Sequence, residues 1–459
     1  METIQKDVVI IGAGLTGLTM AFYLKRAGLS VAVIEKSNQT GGVIQSHFEE
    51  GFLFESGPNT GVLSNPEVVE LFDDLGESCK LLTANTEAKK RLIWKEQKWH
   101  ALPSGPISAI TTPLFTLKDK FFVLGEPWRK PGTNPMESLS DFVKRRLGKS
   151  FLDYAVDPFV SGVYAGNTDY LVPKYALAKL YNLEQKYGSF VRGQMKIGKE
   201  RKNDPRMQKV TRDVYSAENG LSQMTIALAA AIGDDNIYLN SENATIKPIN
   251  DQFEVITTKK GSKIVFNCKK TITTIGGYAI PAVIPFVDDQ LLKPFAELKY
   301  AKVVQVILGY KKWNGIDINA FGGLVPSKEN KKILGVLFTS SFFNGRAPEG
   351  GALLSVFLGG MRRPQQIEMS DNQLKEMLSR ELPPMMGLDS FSPDMIRIFR
   401  YQHAIPQYGA DSKERFENIE TIQRNYPGLI LAGGIRDGIG MADRIKQART
   451  IADEIASIK

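Results

Sequence analysis

The first 35 residues carry the clearest alternation of apolar and polar positions in the chain. Residues 7–11, DVVII, form an apolar run rich in β-branched residues, which is typical of a strand buried on both faces. Residues 18–28, LTMAFYLKRAG, repeat apolar positions at helical spacing and stop at a glycine, and residues 30–35, SVAVIE, resemble a second strand. The pattern predicts a strand–helix–strand unit.

The pattern changes several times further along the chain. Residues 105–195 are amphipathic and interrupted by prolines, which predicts a mainly helical insertion. Residues 237–275 and 300–360 contain short runs of strand-forming residues, with a hairpin turn at Gly261. GLILAGG, at residues 428–434, predicts one more strand, and a helical pattern follows it. Strands and helices together predict an α/β fold.

The first and last segments resemble pieces of one nucleotide-binding domain that the other segments interrupt. We predict that domain over residues 1–75, 205–275 and 425–459, a helical domain over 105–195 and a substrate-binding domain over 276–424. A length of 459 residues agrees with two or three domains, because one hydrophobic core stops growing before a chain reaches that size.

Composition and charge limit the kinds of cofactor and partner that the chain can have. With 42% apolar and 24% charged residues, the chain is typical of a globular protein. Cys79 and Cys268 lie far apart, and the three histidines have no second ligand at metal-binding spacing, so we predict no metal and an organic redox cofactor. The net charge of +8 favours an anionic partner. Because the cations are spread along the chain, acidic lipid or a carboxylate substrate is favoured over nucleic acid.

The opening METIQKDVVI reaches its first strand too early for a signal peptide, and no apolar run approaches the ~20 residues that span a bilayer. We expect a cytoplasmic protein, attached at most to the inner face of a membrane. Residues 121–135, FFVLGEPWRKPGTNP, combine aromatic residues with cations and would suit an anionic membrane surface. A solvated helix face is the alternative interpretation.

A glycine-rich turn is predicted between the first strand and the first helix. Gly12 permits a tight turn, Gly14 lets the backbone approach a pyrophosphate, and Gly17 lets the helix pack on the strand. Glu35 ends the second strand 23 positions after Gly12, near the ~20 expected of a carboxylate that binds ribose, and Lys36 follows it. This context predicts a Rossmann-type dinucleotide site and does not separate NAD from FAD. The whole turn consists of Gly12, Ala13, Gly14, Leu15, Thr16 and Gly17.

A second glycine-rich turn precedes the last predicted helix. Its sequence from Gly433 to Met441 places glycines between a strand and a helix. The backbone amides of Ile439, Gly440 and Met441 would then face a ligand at the helix N-terminus. A helix cap without a ligand is the alternative for this turn taken alone.

Four segments resemble the porphyrinogen oxidase family. They are GPNT at 57–60, SGVYAGN at 161–167, FGGLVPSKE at 321–329 and GIRDGIGMADRI at 434–445, and the resemblance extends over nearly the whole chain. It implies a Rossmann-type domain with non-covalent FAD, a substrate domain with an antiparallel sheet, and a helical insertion. It also implies the removal of six electrons from a porphyrinogen in heme biosynthesis, with O2 as the final acceptor.

The resemblance also implies roles for individual residues. Asn59 would lie beside the flavin as a catalytic residue, where its amide can hydrogen-bond a pyrrole. Leu324, Leu337 and Phe357 would hold the macrocycle, and the backbone of Gly166 would border the same cavity. Ordinary core positions in strands are the alternative for the three apolar side chains. The residues implied to contact FAD are Gly12, Ala13, Gly14, Leu15, Thr16, Gly17, Glu35, Lys36, Gly42, Val43, Gly57, Pro58, Asn59, Thr60, Ala244, Ile439, Gly440 and Met441.

Other functions stay open at this point. Members of the resembling family oxidise protoporphyrinogen IX, which has two propionates, or coproporphyrinogen III, which has four, and the net charge does not separate these substrates. No cation follows the LPSG turn at residues 102–105, so a carboxylate partner is not predicted. A non-catalytic FAD-binding partner protein and an amine oxidase are the remaining alternatives. A homodimer is compatible with all of them.

Overall fold

A mixed sheet forms the first layer of the computed structural model, which describes residues 2–457. Glu2–Ile11 lies parallel to Val31–Ile34 on one side and to Ser262–Thr273 on the other. The helix Leu15–Arg26 joins the first two strands, so the predicted strand–helix–strand unit is confirmed. The strand order is Ile237–Tyr238, Val31–Ile34, Glu2–Ile11, Ser262–Thr273, Gln252–Lys259 and Ser241–Ile249, with Leu429–Leu431 also paired to Ser262–Thr273.

Helices cover both faces of this first sheet. All four residues of Val31–Ile34 are buried, as expected of a parallel strand inside an α/β layer. Alternate side chains of Glu2–Ile11 therefore enter two different cores, with Val8 and Ile10 in one and Val9 and Ile11 in the other. The helices are Leu15–Arg26, Ser222–Ile232 and Met441–Ser457 on the first face and Ile280–Val283, Asp289–Ala296 and Ser412–Asn425 on the second.

A second sheet of seven strands forms the other layer and is antiparallel except at one pair. Gly322–Leu324 runs parallel to Arg91–Lys95, which continues through a hairpin into Lys98–Ala101. This hairpin lies outside the predicted substrate segment 276–424. The helix Asp371–Met386 covers one face of the sheet. The strand order is Met395–Pro406, Tyr300–Tyr310, Ala352–Gly359, Ile333–Phe338, Gly322–Leu324, Arg91–Lys95 and Lys98–Ala101.

Residues 106–208 fold mainly into helices, in agreement with the amphipathic pattern. At their centre the buried Arg146 forms ion pairs with Glu126 and Glu184, so the buried cation is compensated. The α-helices are Pro106–Thr111, Leu117–Leu124, Leu139–Leu147, Lys149–Phe151, Asp157–Val163, Pro173–Ala176, Ala178–Tyr187, Phe190–Lys202 and Pro205–Gln208, with a π-helical turn at Leu152–Val156 and a 3₁₀ turn at Glu126–Trp128.

Shorter elements connect the layers. Gln45–Glu49 and Phe52–Ser56 form a hairpin, and Val214–Ala217 lies between Gly61–Val62 and Leu81–Thr83 in a three-stranded sheet. The remaining helices and 3₁₀ turns are Pro66–Leu75, Gly76–Ser78, Thr86–Lys89, Asp234–Asn236, Gly277–Ala279, Ser327–Glu329, Thr339–Phe342 and Pro364–Glu368.

Three helices of the predicted substrate-binding segment pack against the first sheet instead of the second. Ile280–Val283, Asp289–Ala296 and all but the last residue of Ser412–Asn425 fall within residues 276–424, yet these helices pack against the first sheet. The division into domains stays a prediction. Between residues 2 and 457, no helix combines the length and the apolar content that crossing a bilayer requires.

Candidate functional site

The first glycine-rich turn is fixed by packing on one side and open on the other. Gly12 has a φ of +108°, and a Cβ there would lie 2.7 Å from Oγ1 of Thr274. A Cβ at Gly17 would overlap the carbonyl oxygen of Gly12, whereas a Cβ at Gly14 would meet nothing within 4 Å. Gly14 therefore leaves space in which a ligand can approach the backbone.

Glu35 lies next to this turn, at the end of the second strand. Its Oε2 accepts a hydrogen bond from the Ala13 amide at 2.8 Å, and its Oε1 accepts one from the Ser37 amide at 2.9 Å. The two bonds fix the carboxylate and leave acceptor capacity for a hydroxyl. Lys36 is exposed, and Ala244 is partly buried beside a bulge in its strand.

Two further glycines bring separate segments of the chain against the turn. Gly42 has a φ of +60°, and a Cβ there would lie 3.4 Å from the Cα of Gly14. Gly57 has a φ of +103°, and a Cβ there would overlap the carbonyl oxygen of Val43. The Val43 side chain itself is 58% exposed. The backbones at 14, 42–43 and 57 therefore lie close together, and larger residues would separate them.

Asn59 follows Gly57 and is buried. Its Nδ2 donates to the Gly57 carbonyl oxygen at 3.2 Å, while its Oδ1 has no hydrogen-bond partner. Pro58 and Thr60 beside it are partly buried. A buried amide oxygen without a partner costs free energy, so a ligand that donates to Oδ1 would be stabilised.

The second glycine-rich turn, from Gly433 to Met441, is called the late turn here. Side chains of Arg444, Tyr408 and Arg415 donate hydrogen bonds to its backbone carbonyl groups. Among residues 2–457, the amides of Ile439, Gly440 and Met441 have no acceptor. The carbonyls are therefore occupied inside the protein, and the amides near the start of the last helix stay available to an anionic or carbonyl ligand. The hydrogen bonds run from Arg444 to the Gly433 and Arg436 oxygens, from Tyr408 to the Gly434 and Gly438 oxygens, and from Arg415 to the Ile435 oxygen.

These features fit a dinucleotide cofactor. The first helix begins at Leu15, and no side chain caps its N-terminus at Gly14. The backbone amides of Leu15 and Thr16 can therefore bind a pyrophosphate. The Glu35 carboxylate suits a ribose, and the amides before the helix Met441–Ser457 suit the electron-rich edge of a ring. The sequence predicted these groups separately, and the structure shows that the segments at Gly14, Gly42 and Gly57 lie close together.

Leu324, Leu337 and Phe357 lie on one face of the second sheet. Each is the partly exposed residue in a strand whose other residues are buried. Gly335 pairs with Leu324 and with Phe357, and Gly322 pairs with Leu337, so the strand register places all three side chains on the same face. The result is an apolar surface with glycines between the larger side chains.

Gln305 connects this face to the segment that contains Asn59. It pairs with Phe357 in the sheet and is fully buried. Its Oε1 accepts the Gly57 amide at 2.8 Å, and its Nε2 donates to the Glu55 carbonyl and to Oγ of Ser355, each at 3.0 Å. The apolar face and the segment that contains Asn59 are therefore held together by a buried amide, which the sequence analysis missed.

A buried ion pair stabilises the same junction. Arg346 and Glu55 are each 3% exposed, and their Nη1 and Oε1 atoms lie 2.7 Å apart. Ser46 donates to the other Glu55 oxygen, and Arg346 donates to Oγ of Ser216. Because removing either ion would leave the other buried and unpaired, this pair fixes the segment that leads into Gly57.

Gly166 is buried on the same side of the second sheet as Phe357, because the neighbouring Ala165 packs in one hydrophobic cluster with Phe357. Its amide donates to the Val160 carbonyl, and a Cβ there would lie 3.0 Å from Oε1 of Gln407. The preceding Ala165 has a φ of +46°, and its carbonyl accepts the Met361 amide. Gly166 therefore marks a tight backbone passage between the helical segment and the second sheet.

The structure shows a cation that the sequence analysis did not place. Arg91 pairs with Gly322 across the parallel strands, and Gly322 pairs with Leu337, so Arg91 and Leu337 share one face with only a glycine between them. The exposed Arg91 guanidinium lies 5.7 Å from the Phe321 ring centroid. Arg91 forms no ion pair with a carboxylate in the described chain. A carboxylate ligand on this face would therefore find an available partner.

Two tyrosines near these segments are neutral at ordinary pH. Burial raises the pKa of Tyr164 and that of Tyr401 to about 12. Tyr401 pairs with Val303, on the same face as Phe357. Such hydroxyls can donate hydrogen bonds but are poor general bases near pH 7.

The fold and the site together define a flavin-dependent oxidoreductase. The chain belongs to the family of flavin containing amine oxidoreductases, whose profile matches residues 15–456. The matched range includes Glu35 and the late turn from Gly433 to Met441.

Within this family, the chain is similar to porphyrinogen oxidases. It is 29% identical to protoporphyrinogen oxidase 2 (chloroplastic/mitochondrial) of Arabidopsis thaliana, over 98% of this chain and 94% of that protein. It is 23% identical to coproporphyrinogen III oxidase of Bacillus subtilis (strain 168), over 98% of each protein. A candidate protoporphyrinogen oxidase from Exiguobacterium sp. 255-15 shares the fold, with a TM-score of 0.80, 23% identity and 99% coverage of both chains.

Proposed function

We propose that this protein oxidises protoporphyrinogen IX to protoporphyrin IX in heme biosynthesis, with FAD as cofactor and O2 as the final acceptor. The observation that carries the proposal is the apolar face formed by Leu324, Leu337 and Phe357 next to the segment that contains Asn59. The overall balance is one porphyrinogen and three O2 giving one porphyrin and three H2O2, which accounts for six electrons.

The apolar face suits a large tetrapyrrole. Leu324 and Leu337 lie on either side of the small residues Gly322 and Gly335, and Gly162 of the helix Asp157–Val163 lies against Leu324. Burial of a macrocycle against such side chains supplies affinity at roughly 25 cal/mol per Å² of apolar area. Gln305 fixes the position of this face relative to Gly57, and so fixes the orientation in which a macrocycle would bind.

Arg91 supports a substrate that carries carboxylates. Its guanidinium can bind one propionate in a bidentate arrangement at the edge of the face. Arg397 lies on the same face, but it is paired with Glu49 and Glu50. A cation without an ion pair on this face suits a substrate with few carboxylates, and we propose protoporphyrinogen IX, which has two propionates. The similarity to coproporphyrinogen III oxidases keeps the second substrate as the alternative.

Asn59 is the residue that we propose to act beside the flavin. When bound, FAD supplies the two-electron chemistry. The unpartnered Oδ1 of Asn59 would accept a pyrrole N–H and so orient the macrocycle. Tyr164 and Tyr401, neutral because of their raised pKa values, add no general base.

We propose that FAD is bound without a covalent link. Cys79 and Cys268 lie within the two cores that flank the first sheet, and burial raises their pKa values to about 11 and about 12. Buried thiols with raised pKa values are poor nucleophiles toward a flavin. Acid precipitation should therefore release all of the flavin into the supernatant, and flavin retained in the pellet would contradict the proposal.

The deciding experiment is anaerobic mixing of the yellow protein with each porphyrinogen. Fast bleaching of the flavin absorbance by protoporphyrinogen IX, followed by porphyrin fluorescence after air is admitted, is the expected result. Faster bleaching by coproporphyrinogen III would replace the first substrate by the second. A flavin that stays oxidised with both would remove the proposed reaction and favour a non-catalytic FAD-binding partner, and bleaching by amines would favour an amine oxidase.

We also propose that residues 107–128 rest on the surface of a membrane. Six apolar side chains there are between 67% and 80% exposed, which is unfavourable for a solvated face. The exposed Lys118 adds positive charge within this stretch, and the exposed Lys130 adds more just after it. A peripheral position on the inner face of the membrane follows for a cytoplasmic enzyme. The six side chains are Ile107, Ile110, Leu117, Phe121, Leu124 and Trp128.

Vesicle sedimentation tests the membrane proposal. The protein should sediment with vesicles that contain anionic lipid, and the double variant Phe121→Ser, Trp128→Ser should stay in the supernatant. Ile226→Ser, which changes a 51% exposed side chain on another helix, is the matched control. Binding that survives the double variant would contradict the proposal. A concentration-dependent homodimer that the same variant dissociates, without vesicle binding, would assign this stretch to a second copy instead.

A further inference from the structure

Arg444 differs from the other buried arginines in its surroundings. Arg146 and Arg346 are each paired with a carboxylate that is also buried, and the buried Arg415 is paired with the exposed Asp411. Arg444 is 8% exposed and forms no ion pair within residues 2–457, and its Nε is buried without a partner. An uncompensated cation in a protein interior is costly. A residue of this kind therefore needs a reason other than stability.

The Arg444 guanidinium is bound by neutral groups of the late turn. It donates to the carbonyl oxygens of Gly433 and Arg436, and to Oε1 of Gln447 at 2.9 Å. Burial lowers the pKa of Arg444 from its ordinary value. Because that ordinary value is so high, the side chain keeps its charge at neutral pH.

The position of this charge relates it to the flavin. Arg444 lies in the first turn of the helix Met441–Ser457, immediately after the amides of Ile439, Gly440 and Met441, which have no acceptor in the described chain. These amides are the donors proposed for the ring edge on which negative charge develops during reduction. A cation beside them adds to the positive end of the helix dipole.

We infer that Arg444 is a positioning residue that also supplies a buried positive charge, in an ion pair with no carboxylate, near the flavin-binding amides and thereby raises the reduction potential of the bound flavin. The carboxylates of Asp437 and Asp443 attract this charge without forming an ion pair with it. The inference rests on the proposed FAD site and goes beyond the proposed substrate. It requires that the carbonyl groups of the turn are held by Arg444, Arg415 and Tyr408, and that Arg444, unlike Arg415, has no carboxylate in an ion pair with it.

Potentiometric titration of the FAD-loaded protein tests this inference. Arg444→Met should lower the equilibrium constant for flavin reduction about tenfold, which is about 30 mV for a two-electron couple. Arg444→Lys keeps the charge and should leave the potential unchanged, although fewer carbonyl groups are held. Tyr408→Phe removes a hydroxyl that binds two carbonyl groups without changing charge. It should weaken FAD retention and leave the potential unchanged.

The outcomes separate this inference from the proposed reaction. An unchanged potential in FAD-loaded Arg444→Met would overturn it, even if porphyrinogen still reduces the flavin. If the methionine variant does not fold, a lowered potential in Arg444→Lys would overturn it, because the charge is kept there. A wild-type flavin that no porphyrinogen reduces would refute the proposed function and leave the potentiometric result valid.

Discussion

Replacing Arg91 by methionine should weaken substrate binding without slowing the chemistry. The guanidinium shares a face with Leu337 across Gly322 and has no competing carboxylate in the described chain, so a propionate is its expected partner. Hydrogen bonds to charged groups contribute about 1.5–3 kcal/mol, and exposed ion pairs about 0.2–1 kcal/mol. Because Arg91 is exposed, we expect a loss of about 1.4 kcal/mol, which is about tenfold in affinity.

Steady-state kinetics with protoporphyrinogen IX measure this loss. KM should rise about tenfold and kcat should stay constant, since the propionate lies at the edge of the macrocycle and binds equally in the ground and transition states. The difference should shrink in high salt, because exposed charges are screened. Lys263→Met, an exposed cation on the first sheet, is the control. A KM within twofold of wild type, or a fall in kcat alone, would refute the assignment of Arg91.

Three further changes test other parts of the site. Gly17→Ala should yield protein without flavin absorbance, because a Cβ would meet backbone there, whereas Gly198→Ala, with nothing within 4 Å of its Cβ, should keep it. Arg346→Met leaves a buried carboxylate uncompensated and should cost about 3–5 kcal/mol. The exposed pair removed by Arg380→Met should cost less than ~1 kcal/mol, and thermal melting compares the two variants. Asn59→Leu should retain FAD and slow flavin bleaching roughly tenfold through one lost hydrogen bond, and unchanged bleaching would remove Asn59 from the site.

Local patterns predicted the parts of the fold that are local. The first strand–helix–strand unit and the strand–turn–helix around Gly433 follow from short runs whose side-chain spacing defines the element. Fixed geometry also links Gly12 to Glu35, because both lie at the carboxyl ends of neighbouring parallel strands. The sequence was therefore sufficient to predict that this turn lies next to Glu35.

Long-range pairing accounts for what the sequence analysis missed. Arg91 acquires its neighbours through Gly322, and nothing in KKRLIW indicates that partner. Gln305 is one polar residue in an apolar strand, which is a signal for a buried hydrogen bond, but its partner Gly57 becomes visible only in the fold. Arg444 resembles an ordinary solvated helical residue until its burial is known.

The late strand Leu429–Leu431 has a consequence for biosynthesis. It completes the first sheet by pairing with Ser262–Thr273, and the turn that follows it supplies the proposed ring-edge amides. A ribosome releases the segment with Gly12 long before it releases this strand. The nascent chain can therefore neither bury its first helix fully, because that helix packs against Met441–Ser457, nor close the proposed cofactor cleft until synthesis has passed Met441. Flavin capture should be a late event, and chains that stall earlier should be apoprotein with an open sheet edge.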